Sequence, residues 1–482
     1  MATPMNSHRQ ILRATSIIAS SSVANLLIGL VKTKAAALIL GPVGIGQIGL
    51  LINLLTTAAT FAGLGVSMAA VRQIAATKGS ANARVALFWQ SIALGAVGGM
   101  VVYALRLPLA QFVLNSAESA SAVGWLGLAV AMTVVSAAQL ALLNGLRRLG
   151  DLARAQILGA VVGAVLGLCA LWIWRSDGMT AFVISGPLGM MLGGFLFTMR
   201  LPSPFRGVEW RQVGRDMLAM IRLGIPLMLG GLVAPLGLLS VRALVVDHLG
   251  PVRLGEFTAA WTISVTYLAV VLQAMGSEYF PRLSEKIGDV AATRTHVDQQ
   301  TEISLLLALP ILLAMQAAAP LVLNLLYSSQ FTAGSAMLRW LIVADVLKLA
   351  SWPMAFLILA QGRGVTFMLL EIATAAILPA ITWVLIGQYG IFGIGIAYFV
   401  MYGFYLIATL SFAWSSIGFP WGKTSIQLVC WGVVMTTLTG LSASYSGILG
   451  SAVAVMATAV VAVVAMRRFD LSIRSVWRRR AK

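Results

Sequence analysis

Charged side chains are the scarcest class in this chain, 10% of its 482 residues against 59% hydrophobic. A soluble protein of this length needs far more charge on its surface, which excludes a water-soluble fold. Acids are rarer still, 15 against 33 Lys and Arg, so the formal net charge is +18. Only two cysteines occur, Cys169 and Cys430, each inside an apolar segment. They exclude a disulfide framework and a cysteine-rich metal site. The three histidines, His8, His248 and His296, are scattered with no metal-ligand spacing. Long polar stretches are missing too. The two longest, RLPSPFRGVEWRQVGRDM and PRLSEKIGDVAATRTHVDQQTE, are about twenty residues each and cannot bury a core of their own.

What fills the chain instead is apolar sequence in runs of about twenty residues, each long enough to cross a bilayer as a helix. Spans are expected at about 16–40, 46–70, 84–105, 121–145, 155–174, 179–199, 223–246, 255–280, 303–326, 335–360, 365–386, 391–414, 424–444 and 448–466. The first is too long for the apolar core of a cleavable leader and contains Lys32 and Lys34, so it reads as a transmembrane helix. The expected fold class is all-α integral membrane: two pseudo-symmetric six-helix bundles plus two extra C-terminal transmembrane helices, about fourteen in all. The expected organisation is an N-terminal half (1–199), a cytoplasmic linker (200–222), a C-terminal half (223–415), the two additional helices (416–466) and a basic tail (467–482).

Basic residues gather in alternate short loops. Arg72, Lys78 and Arg84 lie between spans two and three; Arg147, Arg148 and Arg154 between four and five; Arg200, Arg206, Arg211, Arg215 and Arg222 between six and seven. The connections 41–46, 327–334 and 387–393 carry no Lys or Arg. By the positive-inside rule both termini face the cytoplasm, and the positive charge belongs to membrane topology rather than to nucleic acid. The segment 282–302 supports this least, because four acids dilute its basic residues.

One short motif is written twice. LGPVGIGQ occupies 40–47, after span one, and LGPVRLGE occupies 249–256, after span seven. Gly-Pro suits a tight bend between antiparallel helices. An even number of spans separates the copies, so both fall on the outer side. Either short outer hairpins converge on Gly-Pro, or the chain holds two parallel repeats. The equal position in each six-span half favours duplication, which is a transporter's architecture.

Ionisable side chains inside spans are costly and mark cavities or partners. Lys34 stands seven residues before the first Gly-Pro and Arg242 eight before the second. Two cations at similar depth suit an anionic head group, and a guanidinium suits phosphate. Snorkelling to the outer interface is the competing reading. Lys32, two residues from Lys34, points elsewhere on the helix and ranks lower. Asp345 and Lys348 share a face at i,i+3 and read either as an ion-coupled switch or as an intramembrane salt bridge. Glu371 reads as a proton-coupling acid or, slightly favoured, as the partner of Arg363. Arg72 and Arg147 close the cytoplasmic ends of spans two and four. They read as orientation signals, or for Arg72 as the guard of a cytoplasmic mouth. Glu256 and Glu278 bracket span eight and read as solvated. Glycines, as in GAVVGAVLG of span five, read as helix-packing positions.

The stretches AALILGPVGIGQIGLL, TFAGLGVSMAAVRQIA, LNGLRRLGD, EYFPRLSEK and, most specifically, FTAGSAMLRWLIVADVLKLASWPMAFLILAQGRGVTFMLLE resemble the Wzx-type flippases. These belong to the multidrug/oligosaccharidyl-lipid/polysaccharide export superfamily. The likeness covers about 10–415 and leans toward the branch that handles enterobacterial common antigen and similar lipid-linked units. The resemblance implies a MATE-like fold and a bacterial inner-membrane location. It implies transfer of an undecaprenyl-diphosphate-linked oligosaccharide from the cytoplasmic to the periplasmic leaflet, with no bound cofactor and a proton or sodium gradient as the drive. Partners of this resemblance are membrane lipids and a polymerase with its chain-length regulator, around a monomeric flippase. It matches the kind of charge at Lys34, Arg72, Arg147 and Arg242 as substrate-binding residues, and at Asp345, Lys348 and Glu371 as ion-coupling residues; Lys32 does not match. The last two spans depart from the twelve-helix unit and resemble the lipid II flippases, whose extra pair borders a lipid groove. A cation/drug antiporter of the same fold would want acids where Lys34 and Arg242 stand. A polymerase or ligase needs a catalytic outer loop. The largest outer loop here, LPLAQFVLNSAESAS, has one acid and no histidine.

Overall fold

The computed structural model describes residues 4–114, 116–202 and 207–480, with the side chains of 4–19, 270–271, 273–278 and 467–480 outside that description. His8, Arg206, Glu278 and the basic side chains of the tail therefore lie outside the described residues, whereas Glu256, expected to be solvated, is buried at 4% exposure. The described chain is helical, with no strand. The helices are α1 (Pro4–Ala62), α2 (Val66–Ala76), α3 (Ala81–Ala104), α4 (Arg106–Leu114), α5 (Ala120–Gly145), α6 (Leu149–Trp174), α7 (Met179–Thr198) and α8 (Trp210–Lys286). They continue as α9 (Val290–Ala317), α10 (Ala319–Leu326), α11 (Ser335–Ala360), α12 (Gly364–Tyr389), α13 (Ile391–Ile417), α14 (Lys423–Tyr445) and α15 (Gly447–Arg480). Local chemistry sets several ends. The Ser80 hydroxyl accepts from the Ala83 amide at the start of α3. The Asp289 carboxylate accepts from the Ala291 and Ala292 amides at the start of α9.

Among the described residues, 11 helical stretches are long and apolar enough to cross a membrane, and the protein is a multi-pass membrane protein. The sequence predicts about fourteen spans. The difference lies in Ser20–Ala62, Leu149–Thr198 and Trp210–Ala269, of 43, 50 and 60 residues, where one crossing needs about twenty. Each is interrupted: at Gly41, at the 3-10 turn Arg175–Gly178, and at Gly250. Gly41 has φ 65°, ψ −166° and Gly250 has φ 81°, ψ 176°. Only glycine takes this conformation readily, and proline follows it at the first position of the next helical leg. The two copies of LGPV thus build the same bend, each joining two helical legs across a non-helical glycine.

The chain divides into two compact units, Met1–Gly255 with Leu326–Ser328, and Glu256–Leu325 with Ser329–Lys482. The first is held by close backbone approach. On α6, a methyl placed on Gly163 would sit 2.8 Å from the Ser185 carbonyl of α7, and one on Gly159 would sit 3.0 Å from the Gly189 carbonyl. Gly99 of α3 and Gly127 of α5 meet the same way. These are the small-residue contacts that let membrane helices pack without a hydrophobic drive.

The second unit is built around α11, the most buried span, with 83% of its apolar window covered. Against it lie α9, α12, α13 and α14. The additional helices α14 and α15 belong to this unit. Leu313 of α9 packs with Ala454 and Ala457 of α15 and with Trp431 and Met435 of α14. Gln316 donates to the Thr436 carbonyl at 2.9 Å. The connection from α13 to α14 is clamped by α9. Arg294 donates to the Ile417 carbonyl at 2.6 Å, and Asp298 accepts from the Gly422 amide at 3.0 Å and the Ser425 hydroxyl at 2.7 Å.

Candidate functional site

Within the first unit, the second leg of α1 and the first leg of α8 lie side by side, and the repeated bends meet. A methyl on Gly46 would come within 2.8 Å of the Gly255 nitrogen. One on Gly255 would overlap the Pro42 carbonyl. These are the seventh residues of the two motif copies, so the shared glycine is explained by reciprocal backbone contact. Further along, Asn53 donates to the Pro235 carbonyl at 3.4 Å. At the far end of α1 the chain turns through Leu64 (φ 46°) and Gly65 (φ 66°), where Gly65 and Gly224 touch backbone to backbone.

Arg242 sits in this seam. It is buried at 6% exposure, and its guanidinium donates to the Gly49 carbonyl of α1. Its Nε is buried with no hydrogen-bond partner among the described residues. A buried cation with a donor left unpaired carries a free-energy cost that an added acceptor would relieve. Lys34 is half-buried on the first leg of α1. Lys32 faces α7 instead: its ammonium donates to the Ser185 hydroxyl at 3.2 Å and lies 4.3 Å from the Phe182 ring centroid. Lys32 is thus occupied elsewhere, as its place on the helix predicts.

Arg72, on α2, and Arg147 are both exposed at the surface of this unit. Arg147 has φ 57°, an unusual backbone for a non-glycine residue. The next residue, Arg148, pairs with Asp151 across 2.5 Å and fastens the start of α6. The motif LNGLRRLGD is therefore a strained turn, an ion pair and one exposed guanidinium.

A second polar cluster lies inside the other unit. Asp345 of α11 is 0% exposed. From α8, the Ser264 hydroxyl donates to its Oδ2 at 2.8 Å, and the Tyr267 hydroxyl makes a short bond to the same oxygen. From α13, the Tyr398 hydroxyl donates to Oδ1 at 3.5 Å. Lys348 donates to that same Tyr398 hydroxyl at 3.4 Å and lies 5.3 Å from the Tyr402 ring centroid. Asp345 and Lys348 do not form a direct ion pair among the described residues: one tyrosine oxygen stands between them. The salt-bridge reading from i,i+3 spacing is corrected accordingly. That spacing places two side chains on one face, and here a third side chain fills the gap.

Glu371 of α12 accepts from the Tyr405 hydroxyl of α13 at 2.9 Å. Arg363 lies over the Phe412 ring at 5.4 Å. The slightly favoured pairing of Glu371 with Arg363 is therefore overturned: the tyrosine of α13 takes the carboxylate, and the guanidinium stacks on an aromatic ring. The three expected coupling residues thus fall on one set of packed helices, joined by Tyr398, Tyr402 and Tyr405. Those tyrosines stand at i, i+4 and i+7 in AYFVMYGFYL. A polar aromatic stripe on a membrane span is a legible signal that charge counting passes over. Asp216, buried at 3% exposure, was also missed. It accepts from Gln73 at 3.0 Å and Gln212 at 3.1 Å and ties α2 to α8. Among the described residues no group of three His, Cys, Asp or Glu converges to hold a metal.

The fold superposes on a multidrug-resistance MATE-family transporter in its inward-facing conformation with TM-score 0.65 at 15% identity, covering 83% of this chain and 98% of that one. It superposes on the lipid II flippase MurJ, inward closed, with TM-score 0.67 at 11% identity, covering 94% and 99%. Residues 11–286 match the family described as polysaccharide biosynthesis protein, and the chain belongs to that family. It is 23% identical over 418 residues to proteins named lipid III flippase from Escherichia coli (strain K12) and Shigella flexneri, covering 81% of this chain and 95% of theirs.

Proposed function

We propose that this protein is a flippase of the bacterial inner membrane, a transporter and not an enzyme. It carries an undecaprenyl-diphosphate-linked oligosaccharide from the cytoplasmic to the periplasmic leaflet by ion-coupled alternating access. Family membership and the near full-length likeness to lipid III flippases support the substrate class. The observation that carries the mechanism is the seam between α1 and α8. Two glycine bends touch at one end, Gly65 and Gly224 touch at the other, and Arg242 is buried between. Such contacts hold when closed and expose little side-chain surface when parted, as a gate requires. In this reading Arg242 and Lys34 take the diphosphate, Arg72 and Arg147 guide it in from the cytoplasmic side, and the polyprenyl tail stays in lipid. Asp345, Lys348 and Glu371 take up the coupling ion and reset the cycle. The two six-span halves are the moving parts, both termini are cytoplasmic, and the protein works as a monomer supplying a polymerase and its chain-length regulator.

The test is reconstitution of the full chain in proteoliposomes with labelled undecaprenyl-diphosphate oligosaccharide, read as appearance of label in the far leaflet. Wild type is expected to move it under an ion gradient. Arg242→Ala is expected to lose about 10- to 100-fold, the cost of one charge-assisted hydrogen-bonding group at about 1.5–3 kcal/mol. Movement unchanged in Arg242→Ala removes the cationic site. Export of organic cations in place of the lipid would show a drug antiporter of the same fold.

A further inference from the structure

Asp345 and Lys348 are separated by a single hydroxyl, and that hydroxyl faces both. Tyr398 is 2% exposed and its ring is fixed at 5.2 Å from Trp261 and 4.8 Å from Tyr402, in T-shaped contacts. Its oxygen lies 3.5 Å from the Asp345 carboxylate and 3.4 Å from the Lys348 ammonium. Among the described residues, Ser264 and Tyr267 of α8 are the other hydrogen-bond donors to Asp345. Glu371 is the other carboxylate of the cluster, held by Tyr405. Among the described residues, no ion pair or hydrogen bond to Asp345 comes from an ionic side chain of α9 or α14, which also pack on α11.

We propose that Tyr398 is the exchange point through which Asp345 and Lys348 trade one proton, which makes the coupling ion of this flippase a proton. This rests on the ion-coupled reading above. The step balances. The Tyr398 O–H bond breaks as its proton passes to Asp345 Oδ1. An N–H bond of Lys348 breaks as its proton passes to the tyrosine oxygen. A carboxylate and an ammonium become a carboxylic acid and an amine, with Tyr398 restored and no net charge moved into or out of the site. Both charges disappear together, which is the least costly way to alter a buried polar cluster. Asp345 is fully buried and Lys348 only partly so, and outside exchange at the Lys348 end then sets the occupancy. The oxygens around Asp345 would also suit a metal cation, but an ammonium one hydroxyl away repels a second positive charge in a low-dielectric interior. Tyr398 is a proton relay, since its own O–H bond breaks and re-forms between Asp345 and Lys348.

Tyr398→Phe removes the hydroxyl and keeps the ring. Two readouts on the full-length protein test the inference. In proteoliposomes, lipid-linked oligosaccharide movement is followed under an imposed proton gradient and, separately, a sodium gradient. Wild type is expected to respond to protons alone. Tyr398→Phe is expected to lose about 10²-fold of that response, the usual scale for a lost proton-transfer group, with substrate binding unchanged. In detergent, the infrared band of protonated carboxyl is followed on transfer to heavy water. Its Asp345 component, defined as what Asp345→Asn removes, is expected to exchange at least about tenfold more slowly in Tyr398→Phe. Equal exchange in wild type and Tyr398→Phe overturns the inference, as does drive by sodium. If wild type moves no lipid at all, the flippase reading fails, and the infrared measurement still decides the exchange.

Discussion

The two units are built on different principles. In the first, helices meet through backbone: Gly46 with Gly255, Gly65 with Gly224, Gly99 with Gly127, Gly159 and Gly163 with α7. In the second, a nearly fully buried helix, α11, is met by large side chains: Tyr267, Tyr279 and Tyr398 hydrogen-bond to it, and the Tyr279 ring packs on its Trp352 and Phe356. Backbone contacts between glycines gain van der Waals energy only at full approach and give up little side-chain entropy. They can part and re-form along one line. Interlocked aromatics resist sliding, and a hydrogen-bonded acid cluster keeps its geometry only if its frame is rigid. On the proposed mechanism the first unit would do the opening and the second would hold charge in a fixed place. Arg242 lies in the glycine seam, and Asp345 and Glu371 accept hydrogen bonds from tyrosines.

The sharpest way to break this contrast is to add one methyl group to each unit. Gly255→Ala puts carbon where the Pro42 carbonyl already stands. Backbone cannot rotate out of the way, so the bends must separate. The expected loss is about 1–3 kcal/mol of stability, as for overpacked cores, together with reduced lipid movement. Gly403→Ala in α13 meets nothing within 4 Å. It is expected to stay within about 0.5 kcal/mol of wild type. Thermal unfolding in detergent separates the two. Equal effects would mean that the seam already stands open in the membrane.

A smaller effect is expected where the second unit holds its last two helices. Asp298 caps the start of α14 through the Gly422 amide and the Ser425 hydroxyl. Asp298→Ala is expected to cost about 0.5–2 kcal/mol, the range for lost caps. Hydrogen exchange should rise at 417–425 and leave α11 protected. If α11 also exchanges faster, α14 and α15 are integral to the frame of the acid cluster rather than an addition to its flank.

The fold class was legible because bilayer length and apolar runs leave one solution. The repeated LGPV was legible as a bend, and its seventh glycine could be seen but not explained, since its reason is contact with the other copy about two hundred residues away. Charge counting found Asp345, Lys348 and Glu371, which the fold brings onto neighbouring helices. It failed on their partners. Spacing along one helix offered Lys348 to Asp345 and Arg363 to Glu371, and the tyrosines of α13 took both places. Such partners come from non-local packing, which single-helix periodicity does not contain. The span count was read by composition, and the three longest helical stretches are each broken where that reading divides them, at Gly41, at the 3-10 turn Arg175–Gly178 and at Gly250. Asp216 was overlooked because it sits in a polar linker, where an acid reads as solvated.

The smallest effect separates shape from charge at Arg147. Its φ of 57° is a conformation that costs an L-residue about 1–2 kcal/mol and costs glycine almost nothing. Its side chain is exposed, while its neighbour Arg148 carries the ion pair with Asp151. Arg147→Gly is therefore expected to raise stability by up to about 1 kcal/mol, and Arg147→Ala to leave it unchanged within about 0.5 kcal/mol. Both remove the same guanidinium. If that group guides the diphosphate, both variants lose lipid movement alike, although their stabilities differ. If only the turn matters, Arg147→Gly moves lipid as well as wild type. A cationic guide at the mouth would then have to be sought at Arg72 alone, and the strain at Arg147 would belong to the geometry of the turn between α5 and α6.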